Sequence, residues 1–167
     1  AIYCAGAGYL VMNLLMVQST LVLNTGAASH NVIGFAIQLH VVCMFLPSFF
    51  TGKLMERFGH RQILGVGFML LMLSSLIGML GTEAREVIPS LVILGVAWNF
   101  LYVGGSAFLT LCHSSNLAAR VQGVNDTIVS SLAAVGALFA GWLFHFIGWF
   151  SSLALAIPIA ILGLAML

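Results

Sequence analysis

Few side chains in this sequence could do chemistry, and most of them stand alone within long apolar stretches. Asp126 is the one carboxylate close to the interior of such a stretch, where it could carry a proton or act as a helix N-terminal cap and dipole partner. His40 could also carry a proton near neutral pH, although a lone histidine in a helix serves equally as a hydrogen-bonded packing residue. We predict Asp126 and His40 as candidate coupling residues.

Uncharged polar and aromatic side chains form a second set, which predicts a substrate cavity. Asn99, Tyr102, Ser106 and Thr110 lie at i, i+3, i+7 and i+11, so all four share one helical face. Trp98 neighbours this face and could stack on a planar ligand, or serve only as a packing or interfacial anchor. We predict Trp98, Asn99, Tyr102 and Ser106 as cavity residues.

Two earlier apolar stretches each supply one further candidate for this cavity. Asn13 shares a helical face with Thr20, whereas Gln18 is turned away from it by about 140°. Gln38 and His40 are two residues apart and point about 200° apart, so they cannot both face one cavity. We add Asn13 and Gln38 to the predicted cavity.

No pattern for enzymatic or metal chemistry accompanies these residues. The histidines are scattered over different stretches: His30, His40, His60, His113 and His145. The three cysteines form no C-x-x-C pair: Cys4, Cys43 and Cys112. The sequence contains no nucleophile paired with a base, no metal-ligand spacing and no phosphate-binding glycine loop. It therefore predicts no enzyme activity, cofactor or metal, and its formal net charge of +1 argues against a nucleic-acid partner.

The elements that position these residues are predicted to be membrane helices. Of the 167 residues, 62% are hydrophobic and 5% are charged, whereas a soluble domain carries about 25% charged residues. In lipid, backbone hydrogen bonding requires such segments to be helical. Breaks in hydrophobicity predict an all-α membrane protein with one six-helix domain over residues 1–167. Its spans lie at about 1–24, 31–52, 63–81, 88–112, 122–146 and 150–167.

The basic residues predict the orientation of these spans. Lys53, Arg57 and Arg61 follow the second predicted span and Arg120 follows the fourth, while Arg85 alone lies on the opposite side. The positive-inside rule makes the side with four cations cytoplasmic. An even number of spans then places both termini in the cytoplasm.

Small residues in the fifth predicted span indicate close contact between helices. Ala133, Ala137 and Gly141 recur at i, i+4 and i+8, and Gly136 and Ala140 lie beside them. Such a stripe lets two helix backbones approach closely. It predicts either tight packing alone or a helix pair that slides during gating.

The segment after the second span is short, basic and rich in glycine, and it resembles the signature loop of the major facilitator superfamily. That pattern, G-x-L-x-[DE]-R-[FY]-G-x-[RK], is matched at Gly52, Leu54, Glu56, Arg57, Phe58, Gly59 and Arg61. Gly52 allows close helix packing, Gly59 allows a tight turn, and Glu56 can face a helix N-terminus. The resemblance implies a conformational latch formed by Gly52, Glu56, Arg57, Gly59 and Arg61. The alternative is a plain solvated basic loop.

The resemblance extends along most of the chain and implies one half of a larger carrier. Residues 95–105 and 119–127, and the Gly-Trp pairs at 141 and 148, are similar to the tenth and eleventh helices of bacterial members. Members usually have twelve spans in two six-helix halves. The fourth predicted span lacks the arginine, and the fifth lacks the Gly-Pro kink, expected in an N-terminal half. The chain is therefore expected to be a C-terminal half whose partner is an N-terminal six-helix half or a second copy.

The sequence thus predicts a secondary active transporter, or permease, of a small organic solute in the bacterial cytoplasmic (inner) membrane. It would work by alternating access and be coupled to an ion or proton. The absence of Lys, Arg and Glu deep within the spans favours a neutral, zwitterionic or aromatic substrate. The alternatives are a non-transporting membrane scaffold or channel-like assembly with the same fold, and a membrane enzyme with histidine chemistry.

Overall fold

The computed structural model describes residues 1–167 apart from the side chain of Ser115, and every regular element in that range is helical. The α-helices are α1 (Ile2–Thr25), α2 (His30–Phe45), α3 (Ser48–Phe58), α4 (His60–Gly78), α5 (Ala84–Thr110) and α6 (Ala118–Ala165). A short 3-10 helix, Ser115–Leu117, precedes α6. The predicted all-α class is confirmed.

The lengths and hydropathies of these helices make the chain an integral, multi-pass membrane protein. α1, α4, α5 and α6 are each long and apolar enough to cross a bilayer, and α2 with α3 makes a fifth span if that bent pair crosses as one. α6 contains 48 residues, or about 72 Å of helix, which is more than twice the thickness of a hydrocarbon core. Gly148 interrupts α6 with non-helical φ and ψ of 76° and 177°, at the position of the predicted turn. Two helical segments, 118–147 and 149–165, meet there.

The second predicted span, 31–52, is broken rather than continuous. α2 ends at Phe45 and α3 begins at Ser48, with a bend of 41° between them. Pro47 lies in this break. It has no backbone N–H to continue the hydrogen bonds of α2, and this accounts for the interruption. The apolar composition of the segment gives no sign of this bend, which depends on one residue.

The predicted connection at 53–62 is mostly helical. α3 continues to Phe58, since Lys, Leu, Met, Glu and Arg are all strong helix formers. Gly59 alone separates α3 from α4 and has φ of 91° and ψ of 147°, which lies in the region that favours glycine. The signature segment therefore consists of the end of α3 and the start of α4, which meet at a sharp turn at Gly59.

The bundle has two ends that differ in charge. A Cβ on Gly105 would lie 3.1 Å from the carbonyl oxygen of Ala1, so the end of α5 lies beside the start of α1. A Cβ on Gly104 would lie 3.0 Å from Cε of Met55, so α3 lies beside the same part of α5. Ile2 and Arg120 line one recess at the same end. We call this the basic end, and it carries Lys53, Arg57, Arg61 and Arg120. At the opposite end, Arg85 forms ion pairs with Glu83 and Glu86.

Close backbone contact joins α1 to the first segment of α6. A Cβ on Gly136 would lie 2.6 Å from the carbonyl oxygen of Leu10, so only glycine fits there without a shift. Gln18 Nε2 donates a hydrogen bond of 3.0 Å to the carbonyl oxygen of the buried Ala140. Gly141, one residue further along, faces open space, with no described atom within 4 Å of the position of a Cβ. The small-residue region thus packs on α1 through Gly136 and Ala140.

The second segment of α6 is held to the bundle by hydrogen bonds at its start and near its middle. Near the turn, the buried indole of Trp149 donates a hydrogen bond of 3.0 Å to the carbonyl oxygen of Gly78, at the end of α4. Further along, the hydroxyl of Tyr3 in α1 donates to the carbonyl oxygen of Ile159 at 2.8 Å. These two contacts bring residues 149–165 back along α4 and α1.

Candidate functional site

Four aromatic rings meet where α1, α2 and α5 converge. Trp98 and Tyr102 of α5 are stacked, with ring centroids 4.9 Å apart and an interplanar angle of 21°. Tyr9 of α1 meets these two rings edge-on at centroid distances of 5.3 and 5.0 Å, and Phe45 of α2 meets Trp98 edge-on at 5.7 Å. Stacked and edge-on arrangements are the ones that aromatic pairs favour. We call Tyr9, Phe45, Trp98 and Tyr102 the aromatic cluster.

The cluster runs from a buried ring to an exposed one. Trp98 is 2% exposed, Tyr9 and Tyr102 are half-buried, and Phe45 is 57% exposed. Nε1 of Trp98 is buried and has no hydrogen-bond partner among the described residues. A buried N–H group normally has an acceptor, so the free Nε1 of Trp98 is unusual. The cluster thus offers the exposed ring of Phe45 and one unused hydrogen-bond donor.

Asn99, the residue after Trp98, is directed at the bend between α2 and α3 and is fully buried. Its Nδ2 donates to the carbonyl oxygen of Met44 at 2.7 Å and to Ser48 Oγ at 2.6 Å. Its Oδ1 accepts a hydrogen bond of 2.6 Å from Thr51 Oγ1. The whole amide is therefore occupied by α2 and α3, and the structure places Asn99 inside the bundle rather than on an open face.

The other predicted cavity residues lie around the aromatic cluster. Asn13 is half-buried one turn after Tyr9 in α1, and its Nδ2 donates to the carbonyl oxygen of Tyr9 at 3.3 Å. Gln38 is exposed and lies two turns before Phe45 on the same face of α2. Ser106 follows Tyr102 by one turn on α5, and its Oγ is buried without a partner among the described residues.

His40 is buried between α2 and α5. Its Nδ1 lies 2.6 Å from the carbonyl oxygen of Leu91, while Nε2 is buried with no partner in the described chain. The backbone of α5 comes close beside it, since a Cβ on Gly95 would lie 2.7 Å from the carbonyl oxygen of His40. His40 thus occupies an interior contact between two helices, apart from Asp126.

Asp126 lies in a polar group on α6 near the basic end. Gln122 Nε2 and Asn125 Nδ2 each donate to its Oδ1 at 3.1 Å. Asn125 is fully buried and its own Oδ1 has no partner among the described residues, whereas Asp126 is exposed. Because α6 begins at Ala118, Asp126 lies two turns inside the helix and does not cap it.

The signature segment has an inner face that packs and an outer face that is free. Met55 is 2% exposed and contacts α5 at Gly104, whereas Glu56 is exposed. No described atom lies within 4 Å of a Cβ placed on Gly52.

The charged groups of the signature segment have no ion-pair partner in the described chain, where both ion pairs involve Arg85. Arg57 lies over the ring of Phe58 at 5.2 Å, and Arg61 is exposed on the first turn of α4. Glu56, Arg57 and Arg61 are thus free to contact a partner.

The histidines proposed for enzyme chemistry lie in separate places. His40 is buried against α5, His113 follows α5 at the basic end, and His145 lies three residues before the turn at Gly148. In the part of the chain that the structure describes, no three His, Cys, Asp or Glu side chains form a group that could hold a metal ion. The geometry gives no support to histidine-based catalysis.

Tyr9 and Phe45 belong to the aromatic cluster but are not among the residues predicted from the sequence. Tyr9 precedes Asn13 by four residues, and that spacing places both on one face of α1, so the pattern contains a usable signal. Phe45 gives no such signal, because its contact with Trp98 depends on how α2 packs against α5. Only the folded chain shows that it reaches Trp98.

Comparison with protein families gives one match over the whole chain. The family described as the Major Facilitator Superfamily matches residues 1–167. The chain is 36% identical over 156 residues to the riboflavin transporter RfnT of Brucella anthropi, which covers 93% of the chain. It is 28% identical over 134 residues to the uncharacterized MFS-type transporter YddS of Bacillus subtilis, and 26% identical over 129 residues to the uncharacterized transporter YebQ of Escherichia coli.

These relatives are considerably longer than the chain. The matched region corresponds to 39% of RfnT, 31% of YddS and 28% of YebQ. The chain thus spans about a third of the length of the curated relatives that it matches.

Proposed function

The chain belongs to the major facilitator superfamily, and from that premise we propose that it forms one half of a secondary active carrier of small organic solutes. The family and the relatives named as transporters indicate a transporter and not an enzyme. Alternating access requires two bodies that move against each other around a central site. The apolar helices and the open aromatic cluster on one side of the bundle support this assignment.

We propose six spans with both termini on the cytoplasmic side. They would be α1, α2 with α3, α4, α5, and the two segments of α6 that meet at Gly148. This count requires α6 to cross twice, which its length of 48 residues supports. The basic end carries four of the five Lys and Arg residues and would face the cytoplasm of a bacterial inner membrane. All three relatives described above are bacterial.

The partner that we propose is an N-terminal six-helix half, and this chain would be the C-terminal half. The absence of an arginine in residues 88–112, the fourth predicted span, and of a Gly-Pro kink in residues 122–146 supports that order. The free outer face of the signature segment supports the presence of a neighbour. A second copy of the chain is the alternative partner, and the mass of the purified assembly distinguishes the two.

The substrate class that we propose is a neutral, planar aromatic heterocycle, with riboflavin as the first candidate. The aromatic cluster is the observation that carries this proposal, because it offers stacking surface and the unused N–H of Trp98 to a ring that contains acceptor atoms. RfnT, at 36% identity, is named as a riboflavin transporter. The ligand would stack against Tyr9, Tyr102 and Phe45, and it would reach Nε1 of Trp98 when Phe45 moves aside.

Two sets of residues would couple substrate binding to transport across the membrane. The latch motif, Gly52, Glu56, Arg57, Gly59 and Arg61, would hold the partner half in one state and release it in the other. Asp126 is the proposed coupling residue, since its carboxylate is exposed and is not used as a helix cap. His40 is the second candidate for coupling, and its burial argues that it opens only in another conformation.

The decisive experiment is uptake of radiolabelled riboflavin into proteoliposomes made with the full-length carrier. We expect saturable uptake that an imposed proton gradient increases, and at least a tenfold loss with Tyr102→Ala. Trp142→Ala is the matched control, because Trp142 is 55% exposed on α6 outside the cluster. Uptake no faster than in protein-free vesicles would refute the substrate. A non-saturating flux would favour the channel-like alternative, and the absence of flux for any aromatic heterocycle would favour a scaffold.

A further inference from the structure

The aromatic cluster continues along α5 into a polar groove at the basic end. Tyr102, Ser106 and Thr110 lie on one face at successive turns, about 6 Å apart along the helix. Beyond Tyr102, a cavity of about 710 Å³ lies between the end of α5 and the start of α6. It is lined by Ser106, Ala107, Thr110, His113, Ala118, Ala119 and Gln122. We call this cavity, with the neighbouring carboxylate of Asp126, the polar groove.

The groove offers hydrogen-bonding groups, some of which the fold leaves unused. Three of its seven lining residues are alanines, and the Thr110 hydroxyl already donates to the carbonyl oxygen of Ala107 at 2.7 Å. Ser106 Oγ is buried and has no partner among the described residues. Gln122 Nε2 is bonded to Asp126 Oδ1, and no hydrogen bond of its own Oε1 to the described chain is present. Ser106, one turn beyond Tyr102 on α5, lines the groove and so lies between it and the aromatic cluster. A buried hydroxyl without a partner is costly, so a ligand that supplies one would bind favourably.

We propose that the polar groove holds a polyhydroxylated tail of the substrate while the aromatic cluster holds its ring. This inference rests on the proposed function and specifies its ligand further, as a planar heterocycle that bears a short sugar-alcohol chain. Each hydroxyl of such a chain both donates and accepts a hydrogen bond. It therefore matches a row of hydroxyl, amide and carboxylate groups better than an apolar or a charged tail does.

The lining of the groove disfavours a phosphorylated tail. Among the described residues no Lys or Arg lines the cavity, although His113 does and Arg120 follows the lining residue Ala119, and the exposed carboxylate of Asp126 is bonded to Gln122. A phosphate monoester carries between one and two negative charges at neutral pH, so it would be repelled by the carboxylate and find no bidentate cation. The groove should accept a free sugar-alcohol chain and reject its phosphate.

The test compares two probes that share a ring, riboflavin with its ribityl chain and lumiflavin without it. Binding to the full-length carrier is followed by quenching of flavin fluorescence. Ser106→Ala is expected to weaken the binding of riboflavin about fivefold to tenfold and to change the affinity for lumiflavin by less than about twofold. This variant should fold normally, because it removes a hydroxyl that has no partner among the described residues. Ser75→Ala is the control, since Ser75 is buried on α4 and donates to the carbonyl oxygen of Leu71 in its own helix.

A second variant and a third ligand make the outcome unambiguous. Gln122→Met keeps the side-chain length, and it should also weaken riboflavin selectively. Riboflavin 5′-phosphate should bind at least tenfold more weakly than riboflavin. If Ser106→Ala and Gln122→Met weaken both probes equally, or neither of them, the groove does not hold the tail, although flavin binding stands. If the unmodified carrier binds neither riboflavin nor lumiflavin, the proposed substrate fails and this inference fails with it.

Discussion

The side-chain amide of Asn99 donates a hydrogen bond of 2.7 Å to the carbonyl oxygen of Met44, across the contact between α5 and α2. Met44 lies in the last turn of α2, where carbonyl groups have no partner within the helix. In a membrane such a group cannot be left to water, so a polar side chain from a neighbouring helix must satisfy it. Asn99 does so and also bonds Ser48 and Thr51 on the far side of the break.

We predict that Asn99→Leu lowers the free energy of unfolding by about 2 kcal/mol. The estimate allows about 0.6 kcal/mol for each of the three hydrogen bonds that are lost. The melting temperature in detergent should fall by about 4–8 °C. Asn13→Leu is the control, because the one hydrogen bond of Asn13 is to its own helix, and it should melt within about 2 °C of the unmodified protein. Equal melting of both variants would show that the bend holds without Asn99.

The bend also shows where prediction from the sequence ends. The 3.6-residue period correctly places Asn99, Tyr102 and Ser106 on one side of α5, but it does not say which neighbour that side meets. Asn99 is enclosed because residues on both sides of the break at Pro47 bond its amide, whereas Tyr102 is half-buried. Adjacent turns of one helical face therefore have different environments, and this depends on contacts between helices that no periodicity contains.

The charge pattern and the glycines were more informative about the ends of the helices. Gly59, where the sequence predicts a tight turn, and Gly148, between the predicted spans 122–146 and 150–167, both occupy positive φ. The four cations of the basic end also lie together on one side of the bundle, which is the asymmetry that the positive-inside rule uses. Turns and charges are local properties, so they can be read from a single sequence, whereas the aromatic cluster combines three helices.

A second prediction concerns the latch. Glu56→Gln should lower riboflavin uptake at least tenfold while leaving the melting temperature unchanged, because Glu56 is exposed and has no ion-pair partner in the described chain. Glu83→Gln provides a control at the opposite end, where the carboxylate is paired with Arg85. Uptake of Glu56→Gln equal to that of the unmodified carrier would remove Glu56 from the latch.

Gly52 allows a separate test of the same latch. A Cβ there meets nothing in the described chain, so Gly52→Val should not disturb the packing of this half. If a partner helix packs closely on Gly52 in one state, the larger side chain blocks that state and uptake is lost. Normal uptake by Gly52→Val would contradict close packing at this position.

A third prediction concerns the contact between α1 and α6. Gly136→Ala should destabilise the protein by about 1–3 kcal/mol, because its Cβ would lie 2.6 Å from a backbone oxygen that cannot move aside cheaply. Gly141→Ala has open space around it and gains helix propensity, so it should be neutral or stabilising by up to about 1 kcal/mol. Thermal melting of the pair in one detergent measures the difference, and identical melting curves would contradict the close contact.

A fourth prediction concerns the turn at Gly148. Trp149→Phe removes the hydrogen bond to the carbonyl oxygen of Gly78 and should cost about 1 kcal/mol, or about 2–4 °C of melting temperature. Trp142→Phe, on an exposed ring of the same helix, should have no effect on melting. A loss of stability in both variants would mean that ring size, rather than the hydrogen bond, is responsible.

A fifth prediction tests the orientation. Cys112 is exposed near the basic end, whereas Cys4 is buried and Cys43 is half-buried. A membrane-impermeant maleimide should therefore label Cys112 in inside-out vesicles and leave it unlabelled in right-side-out vesicles. Cysteines outside this chain are replaced for the experiment, and Cys112→Ser gives the background. Labelling from the outer side would reverse the proposed topology.

The broken second span has a mechanical consequence. α3 contains 11 residues, or about 16 Å of helix, so it is a lever whose fulcrum is at Pro47 and whose far tip is the corner at Gly59. A rotation of about 10° at the fulcrum carries that tip through about 3 Å. Trp98 and Asn99 are consecutive on α5. Asn99 bonds Ser48 and Thr51, which lie in the first turn of α3 next to Pro47. If a ligand against Trp98 displaced α5, the resulting rotation of α3 would produce its largest movement at the basic end, where the signature segment lies.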